Sequence, residues 1–321
     1  MAQNTSPLWQ VTHNGVTTGK GLVATRKIPK GTLIIEDMPL IKFDTRIPSA
    51  EYDDDNSKFF RQERKGQANI IQKAVSGLSE EDRTKFRDLH NRKESVGDQR
   101  VDDISIAENN AFDFDKNGTK WLSVLTVISR VNHSCAPTAY VTAFNTVDGV
   151  NLGRTKLIAS KDIDVNEEIT CEYSFRRPWL DVFSERQREC WRGWCFVCVC
   201  RACHEDERPR VLREWGQMRD MIRDILAPMP APGNKKALSE RVEDAEVLMN
   251  NLAKWGFSDR RVANLYARLA ELNDRAGRYQ EAYNAALEGL YIEGNYYDHD
   301  EPDAINERLS AVLAKAHSKL V

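Results

Sequence analysis

Five of the seven cysteines lie in one short segment, and their spacing is typical of a metal site. They are Cys190, Cys195, Cys198, Cys200 and Cys203. In a reducing compartment, thiols this close together are more often metal ligands than disulfide partners. Cys198, Cys200 and Cys203 provide three thiolates within six residues, whereas a structural zinc ion needs four tetrahedral ligands. The fourth ligand must come from elsewhere, and Cys195 and His204 are the nearby alternatives.

Three further motifs contain residue types that suit ligand binding or catalysis. They are Gly19-Lys20-Gly21-Leu22, Asn132-His133-Ser134-Cys135 and the run Glu167–Tyr173. A glycine pair lets the backbone approach a ligand where side chains would obstruct it. Taken singly, each motif also has a structural explanation: a turn for the glycines, local hydrogen bonding for the histidine, and packing in a β core for Tyr173.

The three motifs, in this order and followed by Trp194–Cys203, resemble the SET-domain family. Its members carry a G-x-G loop, an N-H-S-C segment and an E-E-(I/L)-T-x-x-Y strand. The C-x-C-x-x-C run at Cys198–Cys203 is similar to the post-SET cap of the SET and MYND branch. The cysteine-rich MYND finger of that branch is missing, because residues 45–117 contain no cysteine. The similarity covers about residues 15–204.

The resemblance implies an S-adenosylmethionine-dependent protein-lysine N-methyltransferase that acts on a neutral lysine amine by in-line methyl transfer. Tyr173 is expected to be catalytic, through a hydroxyl that orients the amine. Lys20 would act mainly through its backbone, and two aromatic residues would close the cofactor pocket and lysine channel. The expected cofactor-binding residues are Gly19, Lys20, Gly21, Leu22, Asn110, Asn132, His133, Tyr173, Trp194 and Phe196.

The resemblance also nominates Cys135 as the fourth zinc ligand, beside Cys198, Cys200 and Cys203. Such a zinc ion would join the cap to the core and complete the active site, and its binding would be coupled to folding. Cys195 remains the alternative fourth ligand.

A lysine substrate must lose its proton before it can act as a nucleophile. The unperturbed pKa of a lysine side chain is about 10.4, so the amine is mostly charged at neutral pH. An apolar channel disfavours the ammonium form, and a neighbouring sulfonium repels it, so both lower the pKa of the substrate amine. No dedicated side-chain base is then required.

Hydrophobic spacing and turn residues predict the elements that position these groups. Short antiparallel strands are expected between Lys20 and Phe43, and helices in the insertion that follows. A hairpin is predicted from Ala139 to Ile158, with its turn at Asp148-Gly149, and another strand at Glu168–Tyr173.

We therefore expect an α+β protein in five parts. They are a first part of the SET core at 8–44, a helical insertion at 45–117, a second part of the core at 118–176, a zinc-bound post-SET cap at 177–206 and an α-helical C-terminal domain at 207–321. In the last part, a helix hairpin should turn at Ala276-Gly277-Arg278. The spacing of Gly277, Tyr279 and Ala282 resembles part of a tetratricopeptide repeat.

Composition narrows the class of partner. The 46 basic and 49 acidic residues give a net charge of −3, which provides no basic field for nucleic acid. No apolar run approaches the roughly 20 residues of a membrane span, and Met1–Gln10 lacks a secretory signal. We expect a monomer in the cytoplasm, the nucleus or both, acting on a protein with a target lysine, histone or non-histone. The alternatives are a SET-fold binding or scaffold protein without turnover, and a methyltransferase for a small-molecule amine.

Overall fold

A computed structural model describes residues 7–13, 19–44, 66, 68–91, 99–116, 119–143, 152–173, 180–231, 233–296 and 304–321. Within these ranges the chain is rich in strands up to residue 173 and helical from residue 183 onward. We call residues 7–173 the strand region, 180–206 the cap and 207–321 the helical region.

The strand region contains three small sheets. Its strands are β1 (Trp9–Thr12), β2 (Gly21–Ala24), β3 (Leu33–Asp37), β4 (Pro39–Asp44), β5 (Ala111–Lys116), β6 (Thr119–Leu125), β7 (Asn132–His133), β8 (Ala139–Ala143), β9 (Thr155–Ala159) and β10 (Glu168–Cys171). The sheet orders are β1-β2-β10-β7, β3-β9-β8 and β4-β6-β5. Strands β10 and β7 are parallel, and their register places His133 opposite Cys171. The Asn132-His133 pair therefore lies beside the strand that leads to Tyr173.

Helices occupy the insertion, the cap and the whole helical region. They are α1 (residues 68–76), α2 (Glu80–Arg87), α3 (Gln99–Asn110), α4 (Phe183–Glu189), α5 (Arg208–Leu226), α6 (Lys235–Trp255), α7 (Arg260–Arg275), α8 (Tyr279–Tyr296) and α9 (Ala304–Leu320). The predicted α+β class and the helical C-terminal part are confirmed. The predicted helix hairpin is present as α7 and α8. No helix among the described residues is long and apolar enough to span a bilayer.

In the strand region, the structure refines two predictions made from the sequence. The predicted hairpin is present as β8 paired with β9, while its turn at Asp148-Gly149 lies outside the described residues. The predicted helical insertion contains α1 to α3, but residues 111–116 at its end form β5, which pairs with β6. The alternation of Phe and Asp from Phe112 to Asp115 has the two-residue period of a strand, which explains this difference.

Three hydrophobic clusters hold these elements together. One fills the space between the sheets and includes Leu22, Leu157 and Ile169, all fully buried. The second packs the insertion, including Phe86, against β4 and β6. The third joins the cap to the helical region, with Trp215 at 2 % exposure among its members. Cap and helices thus share one core, and burial of each large side chain there contributes about 1.5–3 kcal/mol.

The end of α6 lies directly against the strand region. The helix stops at Gly256, whose φ of 84° is in the left-handed region. A Cβ atom at this position would lie 2.1 Å from the carbonyl oxygen of Pro137. Only glycine allows this approach without displacement of the backbone, so Gly256 sets how closely the helical region meets the residues after Cys135.

Candidate active site

Four aromatic side chains from distant parts of the sequence meet in one cluster. The ring centroids of His133 and Tyr173 are 5.2 Å apart, and those of Tyr173 and Trp194 are 5.3 Å apart. Phe196 lies 5.7 Å from His133 and 6.3 Å from Tyr173. These distances are typical of interacting aromatic pairs. The cap therefore contributes Trp194 and Phe196 to the same place to which β7 and β10 bring His133 and Tyr173.

The glycine motif is connected to this aromatic cluster through hydrogen bonding with Asn132. The Asn132 side-chain amide donates to the Glu168 carboxylate at 2.8 Å and to the Lys20 carbonyl at 3.4 Å. A Cβ atom on Gly21 would lie 2.6 Å from the Asn132 amide nitrogen and 2.7 Å from the Glu168 carboxylate. A larger residue at position 21 would therefore displace Asn132. Gly19 has a φ of 121°, and none of the residues that the structure describes comes within 4 Å of the position that its Cβ would take.

The side chains of Lys20 and Leu22 serve ion pairing and core packing. The Lys20 ammonium pairs with Asp88 at 2.6 Å, and Arg130 pairs with the same carboxylate at 2.8 Å. Leu22 is fully buried in the strand region, where its side chain serves packing. Among the hydrogen bonds described for Lys20 and Leu22, the contact with another residue of the candidate site is made by the Lys20 carbonyl, which accepts from Asn132.

Tyr173 is held by two hydrogen bonds. Its hydroxyl donates to the Val131 carbonyl at 2.8 Å, and its backbone N–H donates to His133 Nδ1 at 3.2 Å. Burial raises the pKa of the Tyr173 hydroxyl well above its usual value, so this group stays protonated. Its oxygen retains a lone pair that can accept a hydrogen bond. Burial also raises the pKa of Cys171 to about 12, which leaves that thiol unreactive.

Tyr173 faces a cleft of about 630 Å³, which we call the Tyr173 cleft. Most of its walls are apolar and aromatic, and Asn110 and Glu172 add polar groups. The Asn110 amide donates to the carbonyls of His90 and Ile106 at 2.8 and 2.7 Å, which fixes its orientation. The lining residues are Asn109, Asn110, Ala111, Phe112, Ser129, Val131, Val141, Glu172, Tyr173 and Trp194.

An irregular helical turn positions the aromatic residues of the cap. Residues Cys190–Trp194 form a π-helix, and Cys195 after it is left-handed with a φ of 56°. Such turns are frequent at functional sites, and a left-handed non-glycine residue stores strain. The turn directs Trp194 toward Tyr173 and then redirects the chain into the cysteine run.

Four cysteines form a buried cluster with the geometry of a metal site. The Sγ atoms of Cys135, Cys198, Cys200 and Cys203 all lie within 4.8 Å of one another. Cys135 Sγ is 3.9 Å from Cys198 Sγ and 3.7 Å from Cys203 Sγ. A tetrahedron with metal–sulfur bonds of about 2.3 Å has edges of about 3.8 Å. Cys195, the alternative ligand, lies outside this group.

The remaining candidates fit a metal less well. His204 is mostly exposed and lies 3.5 Å from Asp206. His133, Cys190 and Cys198 also place ligand atoms within 4.8 Å of one another. His133 Nδ1, however, accepts from the Tyr173 backbone, so the ring proton is on Nε2, which lies 3.4 Å from Cys135 Sγ. His133 therefore acts as a hydrogen-bond link between the thiol cluster and Tyr173.

An ion cluster lies on the other side of Tyr173. Glu172, the residue before it, accepts from the Arg261 guanidinium at 2.6 Å. Arg261 also donates to Asp259 through its backbone N–H and its Nε, each at 2.8 Å. Burial raises the pKa of the Glu172 carboxyl, and the neighbouring Arg261 opposes this. The first turn of α7 is thus tied to the end of β10.

Comparison with protein-family models matches residues 19–174 to the SET domain. This range contains the glycine loop, the Asn132-His133 pair and Tyr173. Just under half of the chain therefore matches the SET domain. This matched segment is followed by the cap and the helical region described above.

Curated relatives share this part of the chain. The chain is 36% identical over 103 residues to "Histone-lysine N-methyltransferase SET5" of Candida albicans, covering 30% of this chain and 20% of that protein. It is 28% identical over 195 residues to "Histone-lysine N-methyltransferase set5" of Schizosaccharomyces pombe, covering 59% of this chain and 49% of that protein. The matches thus span half or less of these relatives.

Among solved structures, the SET domain of LSMT bound to lysine and AdoHcy aligns with 99% of this chain and 88% of that one, at 13% identity and a TM-score of 0.34.

Several residues around the SET-domain site were not singled out from the sequence. Cys190 lies in the cysteine run, yet spacing alone does not place it beside Cys135. Glu172 lies within a recognised motif, but its neighbours Asp259 and Arg261 come from a helix about ninety positions away. No local pattern marks these two residues, because a helix N-cap followed by an arginine is common in any protein.

Proposed function

We propose that this chain is an S-adenosylmethionine-dependent protein-lysine N-methyltransferase. The observation that carries the proposal is the convergence of Gly21, Asn132, His133 and Tyr173 with Trp194 of the cap in one set of contacts, beside the cleft that Tyr173 and Trp194 line. These five residues come from four segments. Gly21, the Asn132-His133 pair and Tyr173 lie far apart in sequence, and the segment with Trp194 is held by the cysteine cluster. Such a convergence is what a cofactor and an amine substrate would need in order to meet.

The cofactor would lie along the glycine loop. Gly19, Lys20, Gly21 and Leu22 would provide backbone groups, and the absence of any described residue within 4 Å of the Gly19 Cβ position is consistent with a ligand there. The cofactor supplies a methyl group on a positively charged sulfonium. The residues that we propose to surround it, in addition to the loop, are Asn110, Asn132, His133, Tyr173, Trp194 and Phe196.

The chain's own residues would prepare the amine. The apolar walls of the Tyr173 cleft disfavour an ammonium ion, and so they lower the pKa of a bound lysine. The Tyr173 hydroxyl donates to Val131, so its oxygen is free to accept an N–H of the amine and to direct the nitrogen lone pair. The protonated hydroxyl serves orientation, and no side-chain base is needed.

A zinc ion in the thiol cluster would hold the cap in place. Cys135, Cys198, Cys200 and Cys203 fit the tetrahedral geometry that zinc prefers, and thiolates are its usual ligands in structural sites. The ion would supply structural cross-linking, because four protein ligands leave no open position for chemistry. We propose that residues 177–206 are a post-SET cap of this kind, following SET-core segments 8–44 and 118–176 and the insertion 45–117. The helical domain at 207–321 would resemble tetratricopeptide repeats.

The substrate would be a protein lysine. The curated relatives are named histone-lysine methyltransferases, so core histones are the first substrate to test, and non-histone proteins are the second. We propose that the enzyme acts as a monomer in the nucleus, the cytoplasm or both. Its balanced charge gives no basis for direct binding of nucleic acid.

The test is methyl transfer to a protein extract. Purified protein would be incubated with extract and isotopically labelled S-adenosylmethionine, and lysine methylation would be located by mass spectrometry. We expect labelled methyl groups on lysine side chains, with no labelling when the cofactor is omitted. Tight cofactor binding without any product would favour a non-catalytic binding or scaffold protein. Label found only on small amines would favour a small-molecule methyltransferase.

A further inference from the structure

Arg261 of the helical region reaches the wall of the proposed active site. Its guanidinium lies 2.6 Å from the carboxylate of Glu172, 89 positions earlier in the sequence. Glu172 lines the Tyr173 cleft together with Tyr173 and Trp194. It also lines a narrow adjoining cleft. The carboxylate is therefore placed where it affects the charge that an incoming amine experiences.

The Arg261 guanidinium is fixed from within its own helix. Asp259 caps α7 by accepting from the Arg261 backbone N–H, and its second oxygen accepts from Arg261 Nε. Asp259 is 7 % exposed, and the Arg261 and Glu172 side chains are 27 % and 20 % exposed. Partly buried, charge-assisted bonds of this kind are stronger and less screened than surface ion pairs.

The charged groups around Glu172 come from four segments. Asp259 and Arg261 face it from the start of α7, and His133 faces it from β7. Tyr173 follows it directly, just after the end of β10. The groups that share the adjoining cleft with it from the cap are Asp181, Arg186, Glu189 and Cys190. Arg261 is the cation that bonds directly to the Glu172 carboxylate among the contacts described.

We propose that Arg261 is a positioning residue of the active site, which fixes the strand end before Tyr173 and cancels the Glu172 charge that would otherwise keep the target amine protonated. This inference rests on the proposed function. An uncompensated carboxylate in an apolar cleft favours an ammonium ion, because a nearby opposite charge stabilises the charged form. The helical region thereby influences the protonation of the target amine in the SET domain, a role beyond substrate docking.

The sign of the expected change follows from this charge balance. In Arg261→Met, the bound ammonium takes the place of Arg261 as the cation beside the Glu172 carboxylate, so the pKa of the amine rises and less neutral amine is present at a given pH. The rising limb of the pH–rate profile should move to higher pH by about one unit, which lowers the rate at neutral pH about tenfold. In Glu172→Gln, Arg261 remains and repels the ammonium, so the limb should move to lower pH.

The double variant Glu172→Gln/Arg261→Met removes both charges. Its pH–rate profile should return close to that of the wild type, and looser positioning of Tyr173 should keep its rate a few-fold below the wild-type value. A purely structural role of Arg261 would not produce this rescue, because the double variant lacks the ion pair just as the single variant does.

Arg260→Met is the matched control. Arg260 is the neighbour of Arg261 on α7, and it lies 3.5 Å from the buried carboxylate of Glu293 within the helical region. Its loss perturbs the same helix without changing the charge beside Tyr173. Thermal unfolding of every variant would establish that each one is folded, and Glu172→Gln provides the test independently if Arg261→Met does not fold.

The assay uses labelled S-adenosylmethionine and a protein extract as methyl acceptor, between about pH 6.5 and 9.5. Opposite shifts for the two single variants, with rescue in the double variant and none in Arg260→Met, would support the inference. An active wild type with unshifted profiles in both Glu172→Gln and Arg261→Met would overturn it and leave the proposed function intact. A wild type that binds the cofactor and transfers no methyl group would overturn the proposed function, and this inference with it.

Discussion

Two buried polar clusters attach distant segments to the strands around Tyr173, and they do so by different physics. The thiol cluster joins the cap to Cys135, two residues after His133. The ion cluster joins α7 to Glu172, one residue before Tyr173. The thiol cluster holds the chain just after β7, and the ion cluster holds it just after β10. The thiol cluster would need a metal ion to form its attachment, whereas the ion cluster is made of protein side chains alone.

The two clusters should respond to different treatments. Four thiols at these distances gain little from one another, and the free energy of the attachment would come from the proposed zinc ion. The ion cluster contains its own countercharges, but the cost of burying them offsets much of their attraction. Metal removal should therefore loosen the cap while the contact between Arg261 and Glu172 persists.

The largest effect is expected from loss of a thiol ligand. Cys198→Ser should lose the bound zinc, and the free energy of unfolding should fall by about 3 kcal/mol or more, because metal binding contributes to folding. The melting temperature should fall by about 10 °C. Elemental analysis by mass spectrometry and thermal unfolding would measure both quantities.

Cys195→Ser is the matched control for this experiment. Cys195 lies in the same run but outside the four-thiol group, so its variant should retain one zinc ion per chain. Retention of zinc by Cys198→Ser would contradict the assignment of Cys198 as a ligand. Loss of zinc from Cys195→Ser would favour the alternative set, in which Cys195 takes the place of Cys135.

A smaller effect is expected at the contact between α6 and the strand region. Gly256→Ala should lower the free energy of unfolding by about 2–3 kcal/mol, because a Cβ atom there meets the Pro137 carbonyl and the backbone is left-handed. Gly277→Ala is the control, since its φ of 76° is also left-handed but its Cβ would meet nothing within 4 Å. It should cost only about 1 kcal/mol. Equal losses in denaturant titrations would refute the close approach.

The two clusters also differ in how far the sequence predicts them. The cysteine run is a local pattern that indicates three of the thiols, and the resemblance to the SET-domain family nominates Cys135 as the fourth; these four thiols do lie together. Strand and helix positions also followed from local spacing, as in the pairing of β8 with β9. The end of the insertion was misassigned to helix because the alternation at Phe112–Asp115 covers only four residues.

Long-range contacts account for what the sequence could not predict. Arg261 meets Glu172 only because Gly256 lets α6 end against Pro137, which places the start of α7 beside β10. Neither the φ of Gly256 nor the Asp259 cap has a local signature that names its partner. Likewise, the orientation of the His133 ring depends on the parallel pairing of β7 with β10, a register that the separate motifs do not encode.

The smallest effect is expected at an exposed third contact. Lys20 lowers the pKa of the Asp88 carboxyl by hydrogen bonding, and Arg130 adds to this. Asp88→Asn should weaken cofactor binding about twofold at low salt, because the side chain is 55 % exposed and surface ion pairs contribute little.

Salt and acid provide the internal checks on this prediction. The difference between Asp88→Asn and the wild type should vanish at about 1 M salt. It should also fade as the pH falls below about 4 and disappear as the pH passes through the lowered pKa of Asp88, since a carboxyl with a lowered pKa contributes above its unfolded pKa and loses that contribution as it is protonated. Calorimetric titration with the cofactor would measure both, and a difference that persists at high salt would rule out an ionic cause.

The most direct test of the account is the effect of removing the Tyr173 hydroxyl. Methyl transfer to a protein extract would be measured for the wild type, for Tyr173→Phe and for Tyr266→Phe, which removes a tyrosine hydroxyl from α7. We expect kcat of Tyr173→Phe to fall about a hundredfold, with cofactor affinity within a few-fold of the wild type and Tyr266→Phe nearly unchanged. A Tyr173→Phe protein that transfers methyl groups as fast as the wild type would contradict the placement of chemistry at this cleft.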